Sequence, residues 1–424
     1  MSTLPNNPDV IVVGAGTAGL SAAKSLMHAG LEVVVLEAQG HVGGRCVTDT
    51  SVFDTPFDRG GSWLHSAEIN PLAQLANDAG VRLHKKPWRW EQVISNGRKL
   101  NEQEVSAYVS YQDSMWEAVH EASKDDTSDV IEDLLPRSPW KDTARHFVAQ
   151  MLGGDAEVTS ATDSARYGDA EGDWLVSGGL GAFVKSLHAD VPVKLNCPVS
   201  KIDYSGNDVQ AVTPDGTVKA DYLVVTVSTG VLSAETIMFN PVLPDQKRTA
   251  IGQLPNGLLN KIGIEFDPHW KEVHEGYMAD YHSDGNAFCT LLFGFFNTNL
   301  AVGFVAGSFA DLLEQEGEGA AQSFCLEGLR ELFGNDVTKH VIRTTETAWR
   351  NNPATIGSYS YASPGCADAR SVLAEPVDDR LFFAGEATMQ DAFATVHGAY
   401  LSGKNVAREI IERHSSGKTG KGRT

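Results

Sequence analysis

The stretch 9–45, DVIVVGAGTAGLSAAKSLMHAGLEVVVLEAQGHVGGR, constrains this chain more than any other. The apolar run 10–13 enters Gly14-Ala15-Gly16-Thr17-Ala18-Gly19, an Ala/Leu-rich helical pattern follows, and a second run over 32–36 ends in Glu37. Glycine at 14 permits a tight strand-to-helix turn. Gly16 lets backbone approach a pyrophosphate, and Gly19 lets the helix lie close to the strand. The first helical turn offers unpaired N–H groups and a positive dipole end to phosphates. Glu37 stands where a carboxylate can accept both hydroxyls of an adenosine ribose. Strand, helix, second strand and terminal acid together predict a dinucleotide-binding unit; a glycine-rich turn alone leaves Glu37 unexplained.

The glycine pattern does not separate nicotinamide from flavin dinucleotides. Gly43-Gly44-Arg45 adds a second glycine pair and a guanidinium, whose fork matches phosphate geometry and stays charged at any relevant pH. With 424 residues the chain can hold two intertwined domains. Its 42% hydrophobic and 21% charged content is that of an ordinary soluble globular protein. No apolar run reaches the length of a membrane span, and MSTLPNNPD lacks a basic-plus-apolar signal, so a cytoplasmic enzyme is expected. Cys46, Cys197, Cys289, Cys325 and Cys366 are scattered without a Cys-x-x-Cys pair; reduced thiols are expected, with neither a disulfide frame nor a metal site. The formal charge of −21 repels phosphate backbones, which argues against nucleic-acid binding. It attracts cations, protonated amines among them, but the same charge also serves solubility.

Along the chain, 1–8 reads as a disordered lead. FDRGGSWLH places Gly60-Gly61-Ser62-Trp63 before His65, backbone that must pass close to something flat. Residues 70–80 form a helix begun by Asn-Pro. From about Trp88 to 150 the chain is polar and helical, with Tyr108, Tyr111, Trp116 and Trp140 assigned to a core. Residues 153–174 read as a long functional loop. Strands are expected at 193–196 and 199–204, a hairpin over 206–218 around Asp215-Gly216, and a buried parallel strand at 222–227. Lys261 stands in LLNKIGI, where a lysine among aliphatics either snorkels to a surface or is functional. Residues 268–345 should give strands at 288–295 and 301–306 and one amphipathic helix over 310–332, with His269 and His274 on the surface. A buried strand at 381–384, a helix over 396–411 and a flexible basic tail over 415–424 complete the reading.

Three blocks, 10–63, 199–262 and 349–403, resemble in order the flavin-containing amine oxidases: polyamine oxidases, monoamine oxidases and lysine-specific histone demethylases. They carry GAGTAG…EAQGHVGGR, CPVSKID…DYLVVTVSTGVL, and GSYSY, AGEAT and ATVHGAYLSG, and cover roughly half the chain. The last block lies nearer the polyamine oxidase branch. The resemblance implies an α/β fold: a Rossmann-like FAD-binding domain from discontinuous segments 1–67, 171–249 and 346–412, and an α+β substrate-binding domain, a mixed sheet flanked by helices, from 68–170 and 250–345, with a tail at 413–424. It implies FAD contacts from Gly14, Gly16, Thr17, Ala18 and Gly19, from Glu37 and Ala38, from Gly44 and Arg45, and from Gly61, Ser62 and Trp63. Val199 would meet the adenine, Gly385 and Glu386 the ribityl or phosphate region, and Thr395 and Val396 the pyrimidine edge.

By the same resemblance Lys261 reaches the flavin through a water and assists dioxygen reduction. Tyr359 and Trp349 wall the substrate nitrogen, and His65 faces the cavity unless it is an ordinary packed histidine. Ser358 stands where monoamine oxidases tether the flavin through cysteine, which implies non-covalent FAD. Thr395 replaces the second tyrosine of their aromatic pair, and Gln39 replaces a basic residue often found near the adenosine. The expected reaction is oxidation of a small amine or polyamine to an imine, then an aldehyde, with dioxygen reduced to hydrogen peroxide. No nucleic-acid or membrane partner is expected, and a homodimer is one assembly left open. The acidic surface and the lack of chromatin-binding appendages disfavour a histone substrate. An FAD-dependent amino-acid oxidase or desaturase is the alternative on the same scaffold, and a non-catalytic flavin-binding interaction protein stands behind both.

Overall fold

The short β-branched runs VIVV, VVVL and YLVV have no polar position to give to solvent, and each becomes a strand covered on both faces. In a computed structural model describing residues 7–85, 92–95, 98–125, 128–270, 276–283 and 287–421, they sit at the centre of a five-stranded parallel sheet. The order is Val193–Lys194, Val33–Leu36, Val10–Val13, Tyr222–Val225 and Leu381–Phe383. Helix Thr17–His28 crosses from the first strand to the second, and the last helix, Val396–Lys421, lies against it so closely that a side-chain carbon at Gly403 would strike the Ala18 carbonyl. Residues 1–6 of the expected lead, Trp88 and His274 fall outside the described residues.

A second sheet of seven described strands runs Val341–Glu346, Leu259–Phe266, Leu300–Ala306, Phe288–Phe293, Tyr277–His282, Gln92–Ser95 and Arg98–Lys99. It is mixed: the Tyr277–His282 and Gln92–Ser95 strands are parallel, the other neighbours antiparallel. Its two faces differ. Ile262, Ile264, Cys289, Leu291 and Phe293 face helices Gly307–Glu316 and Ala320–Phe333. Met278, Leu292, Val302 and Phe304 pack instead with Phe53, Phe57, Tyr108 and Trp140, at the helical segment Glu102–Leu152.

The expected aromatic core holds: Tyr108 and Tyr111 are buried, and Trp116 and Trp140 pack partly buried beside them. Four details differ from the sequence reading. The single helix over 310–332 is two helices, because Gly317 and Gly319 (φ +111° and +89°) turn the chain between them. The hairpin Gln92–Ser95/Arg98–Lys99 and the strand Tyr277–His282 lie where no strand was expected. The loop 153–174 contains a one-turn helix, Ala161–Ala165, capped by Ser160. The last helix continues past Ile411 to Lys421. Among the described residues no helix is long and apolar enough to cross a membrane.

Candidate active site

The residues singled out near the glycine turn meet at the carboxyl ends of the parallel strands, where open α/β sheets bind ligands. The first strand runs into Gly14, whose φ of +105° and contact with Thr226 (a side-chain carbon would lie 2.7 Å from its Oγ1) leave room only for glycine. A side-chain carbon on Gly19 would strike the Gly14 carbonyl, so this glycine sets the helix against the turn. Gly16 is different: added carbon there would meet nothing within 4 Å. It precedes the helix without a side-chain cap, so no capping side chain takes up the first-turn N–H groups of Thr17, Ala18 and Gly19. Glu37, buried, follows the second strand. Its Oε2 accepts the Ala15 N–H at 2.6 Å and its Oε1 the Gln39 N–H at 2.8 Å, beside Ala38 in the chain. The Cys197 N–H donates to the Glu37 carbonyl, which brings buried Val199 to this end of the crevice.

Arg45 joins the crevice to the last strand. Its Nη1 donates to Glu386 Oε1 (2.9 Å) and to the Ser358 carbonyl (2.7 Å), and only Nη1 is engaged among the described residues. Glu386 also accepts from Ser360 Oγ (2.7 Å) and the Ala394 N–H (3.0 Å). Ser360 Oγ in turn accepts from Arg370, which pairs with Asp163 through two bonds of 2.7 Å while lying 4.0 Å over the Phe393 ring. A chain of alternating charge thus runs from half-buried Arg45 through buried Glu386, Arg370 and Asp163. Gly385, beside it, is a second glycine with open space around it.

Lys261 does not snorkel. It is 4% exposed, and its ammonium donates to the carbonyls of Asp58 (3.1 Å) and Gly60 (2.5 Å) and to Ser62 Oγ. The Trp63 ring lies 5.2 Å from Nζ and the Phe304 ring 5.9 Å. Burial lowers its pKa to about 8, against the opposing pull of Asp58 and Cys46. The turn Gly60–Trp63 is therefore drawn onto the seven-stranded sheet by one cation. Trp349 closes on the same turn, its Cζ2 3.2 Å from where a Gly60 side chain would start, and Val396 presses on Gly61. Thr395 caps the last helix, its Oγ1 accepting the Gly398 N–H at 2.9 Å.

Tyr359 and His65 stand further off. The Tyr359 hydroxyl donates to the Gln150 carbonyl, and its ring packs against Gly153. Among the described residues no ring contact joins it to Trp349. His65 stacks on Trp63 (6.3 Å between centroids) and pairs with Asp173 at 2.7 Å. The histidine expected at the surface, His269, is exposed.

The sequence reading passed over Thr226, Asp58, Ser360, Arg370 and Asp163. Asp58 is buried and accepts the N–H groups of Leu180 and Gly181, fixing the helix Leu180–Leu187 to the Lys261 turn. FDRGGSW was noted for its glycines and tryptophan, so the acid inside it was within reach. Arg370 and Asp163, 207 positions apart, left no such signal. Asp9, Asp221 and His414 come within 4.8 Å of one another, but at the opposite ends of the strands.

The geometry has close counterparts. The family model for flavin containing amine oxidoreductases matches residues 17–89 and 81–411. The chain belongs to the flavin containing amine oxidoreductase family. Polyamine oxidase 4 of Oryza sativa subsp. japonica is 30% identical over 450 residues, covering 96% of this chain and 89% of the relative. Lysine-specific histone demethylase 2 of Homo sapiens is 29% identical over 443 residues, again 96% of this chain, which spans about half of that relative (53%). Cyclohexylamine oxidase from Brevibacterium oxydans IH-35A shares the fold at a TM-score of 0.81, with 23% identity, over 97% of this chain and all of the other. A putrescine oxidase bound to putrescine does so at 0.78, with 22% identity and the same coverage.

This chain is thus a flavin-containing amine oxidoreductase, a flavoprotein enzyme whose family implies FAD. The crevice fits such a group. Gly16 and Gly385 leave space that side chains would fill, the first helical turn is uncapped, and Arg45 keeps Nε and Nη2 for further acceptors.

Proposed function

We propose that this amine oxidoreductase oxidises a small amine or polyamine to an imine, which water then splits to an aldehyde and a smaller amine, with dioxygen reduced to hydrogen peroxide. The observation that carries the reading is the buried Lys261 ammonium, held by three acceptors of the Asp58–Ser62 turn beside Trp63 and Phe304. A fixed cation in a dry site favours charge that develops beside it. Two proteins of the same fold, the putrescine oxidase and the cyclohexylamine oxidase, are named for small amines of the same class.

In this reading the segments 1–67, 171–249 and 346–412 hold FAD, and 68–170 with 250–345 receives the amine. Glu37, Ala38 and Val199 would hold the adenosine end. The amides of Thr17, Ala18 and Gly19 with Gly14, Gly16, Gly44, Arg45, Gly385 and Glu386 would hold the pyrophosphate region, and Gly61, Ser62, Trp63, Thr395 and Val396 the ring end. Bound there, a flavin supplies the two-electron acceptor that no side chain can replace. Non-covalent binding is supported by Ser358, whose hydroxyl is committed to the backbone of Leu259 at 2.9 Å in both directions. Trp349 and Tyr359 would orient the amine by packing, and the Trp63 ring lies beside both His65 and Lys261. Lys261 stays protonated below its pKa of about 8 and so supplies positive charge through the neutral range.

An anaerobic absorbance titration tests this. Bleaching of the flavin band near ~450 nm, the cofactor's own signal, by amines but not by amino acids is the expected result. Bleaching by amino acids alone would overturn the reading in favour of an amino-acid oxidase.

A further inference from the structure

The alternating charges beside the crevice form hydrogen bonds whose direction is fixed. Arg370 is 0% exposed, and its guanidinium has an acceptor for each of its N–H groups. Nε and Nη2 donate to Asp163 at 2.7 Å each, and Nη2 donates also to the Ser360 carbonyl at 3.3 Å. Nη1 donates to the Ala387 carbonyl at 3.3 Å and to Ser360 Oγ at 2.9 Å. Arginine has no acceptor to offer, so the single proton of the serine hydroxyl goes to Glu386 Oε2, 2.7 Å away.

Glu386 is held the same way from every side. The Ala394 N–H reaches Oε2 at 3.0 Å, the Ser360 N–H reaches Oε1 at 3.2 Å, and Arg45 Nη1 reaches Oε1 at 2.9 Å. Each carboxylate oxygen thus takes two donors, which fixes its orientation and that of the Arg45 fork. Arg45 is left with Nε and Nη2, the side-on pair that matches a phosphate. Arg45, Gly385 and Glu386 line one cavity. Charge follows the same path. Arg45 and Arg370 balance Glu386 and Asp163; without Arg370 two carboxylates would stand behind one guanidinium and oppose an incoming anion. Asp163 itself comes from 153–174, the segment expected to be a functional loop, and the Ala362 N–H ties it back at 3.3 Å.

We propose that Arg370, held by Asp163, is a positioning residue for the flavin pyrophosphate. It acts through Ser360 and Glu386 to present Arg45 to the phosphates, so the segment 153–174 sets cofactor affinity. The proposal rests on the reading that the pyrophosphate lies at Arg45, and it holds whichever amine is oxidised.

The test titrates flavin-stripped protein with FAD, reading the dissociation constant from flavin fluorescence and stability from urea unfolding. Arg370→Met with Asp163→Leu removes both buried charges together, an exchange that leaves stability near wild type or above it. This double variant should still bind FAD about 10-fold more weakly, as for a lost hydrogen bond to a charged group. Ser360→Ala keeps the ion pair and should weaken binding by a similar factor. Adding Ser360→Ala to the double variant should cost nothing more, because residues on one path are not additive. A merely structural pair would give wild-type affinity once stability is restored, and that result overturns the proposal. So does an effect of Ser360→Ala that multiplies with the other, or, should the double variant not fold, wild-type affinity in Ser360→Ala alone. Arg45→Met separates the two readings, with an expected loss of about 100-fold for a charge-assisted contact. If it binds FAD as the wild type does, the crevice reading fails and the proposal with it. If it weakens binding and the double variant does not, only the role of Arg370 is overturned.

Discussion

At the carboxyl ends of the parallel strands, main-chain N–H groups and missing side chains make the site; on the seven-stranded sheet, charged side chains held in strand register make it. The first region is built from glycines whose neighbours lie within a few residues or one strand away, such as Gly14 against Thr226 and Gly16 in open space. The second depends on Lys261 and Asp58, 203 positions apart in the chain, and on the strand register that buries Asp280 beside Thr290. Main-chain sites tolerate little change in shape but hold no net charge. Side-chain sites tolerate shape changes but carry buried charge, whose removal or rescue is large. The two regions should therefore fail differently.

The strongest way to break the comparison is at the link between them. Arg370 and Asp163 are both fully or nearly fully buried, and they connect the Arg45–Glu386 end of the crevice to the helix Ala161–Ala165. Arg370→Ala leaves Asp163 charged and unpaired, which should cost about 3–5 kcal/mol in urea unfolding. A loss below about 1 kcal/mol would mean that the pair is solvated and that the two regions are not joined by it.

Asp280→Asn should act with the opposite sign. Burial raises the Asp280 pKa from 3.8 to about 7, so the folded state binds a proton more tightly than the unfolded state. Stability is then fully retained below about pH 4 and declines as pH rises toward 7, because the folded protein holds the extra proton across that window. Removing the acid should stabilise the ligand-free protein above pH 7, by at most about 4 kcal/mol at roughly 1.4 kcal/mol per tenfold change in proton affinity. The gain should vanish below pH 4. Thermal melts at pH 4 and 8 check this, and a gain of equal size at both would show that packing, not charge, was altered.

Lys261→Met tests the proposed role of the other buried charge. Reoxidation of reduced flavin by dioxygen should slow about 10²–10³-fold, the usual cost of losing one preorganised electrostatic group. In the wild type that rate should fall as pH rises through about 8, where Lys261 loses its proton. Stopped-flow reoxidation measures both, and a full rate in Lys261→Met would remove the lysine from the mechanism.

How much of this was legible follows from the same contrast. The parallel sheet and its crevice were readable because GAGTAG, Glu37 and the runs around 10–13, 33–36 and 222–225 write local geometry into adjacent residues. Lys261 was visible as an oddity, a cation among aliphatics, yet its environment was not: the residues alone favoured a snorkelling side chain, and only the Gly60–Ser62 turn arriving from 200 positions earlier reverses that. Asp280 was invisible because the strand Tyr277–His282 reads as a mixed run, YMADYH, and its burial depends on register with the strands on either side. The split of 310–332 into two helices was legible in EGEG and was missed, because helical periodicity on both sides hid two glycines that end one helix and begin the next.

The smallest effects sharpen the comparison inside the glycine turn itself. Gly19→Ala puts carbon against the Gly14 carbonyl, so the helix Thr17–His28 must move off the strand end, and melting should report a loss of about 1–3 kcal/mol, as for an overpacked core. Gly16→Ala meets nothing in the protein, and its backbone, at φ −72° and ψ 178°, is one that alanine adopts freely. The cofactor-free protein should therefore melt within about 0.5 kcal/mol of wild type, while FAD retained after gel filtration falls. The pair separates a glycine kept for the fold from one kept for the ligand. If Gly16→Ala kept its full complement of flavin, the open space beside that glycine would not be the place where the pyrophosphate passes, and the crevice would have to bind its ligand through Arg45 and Gly385 instead.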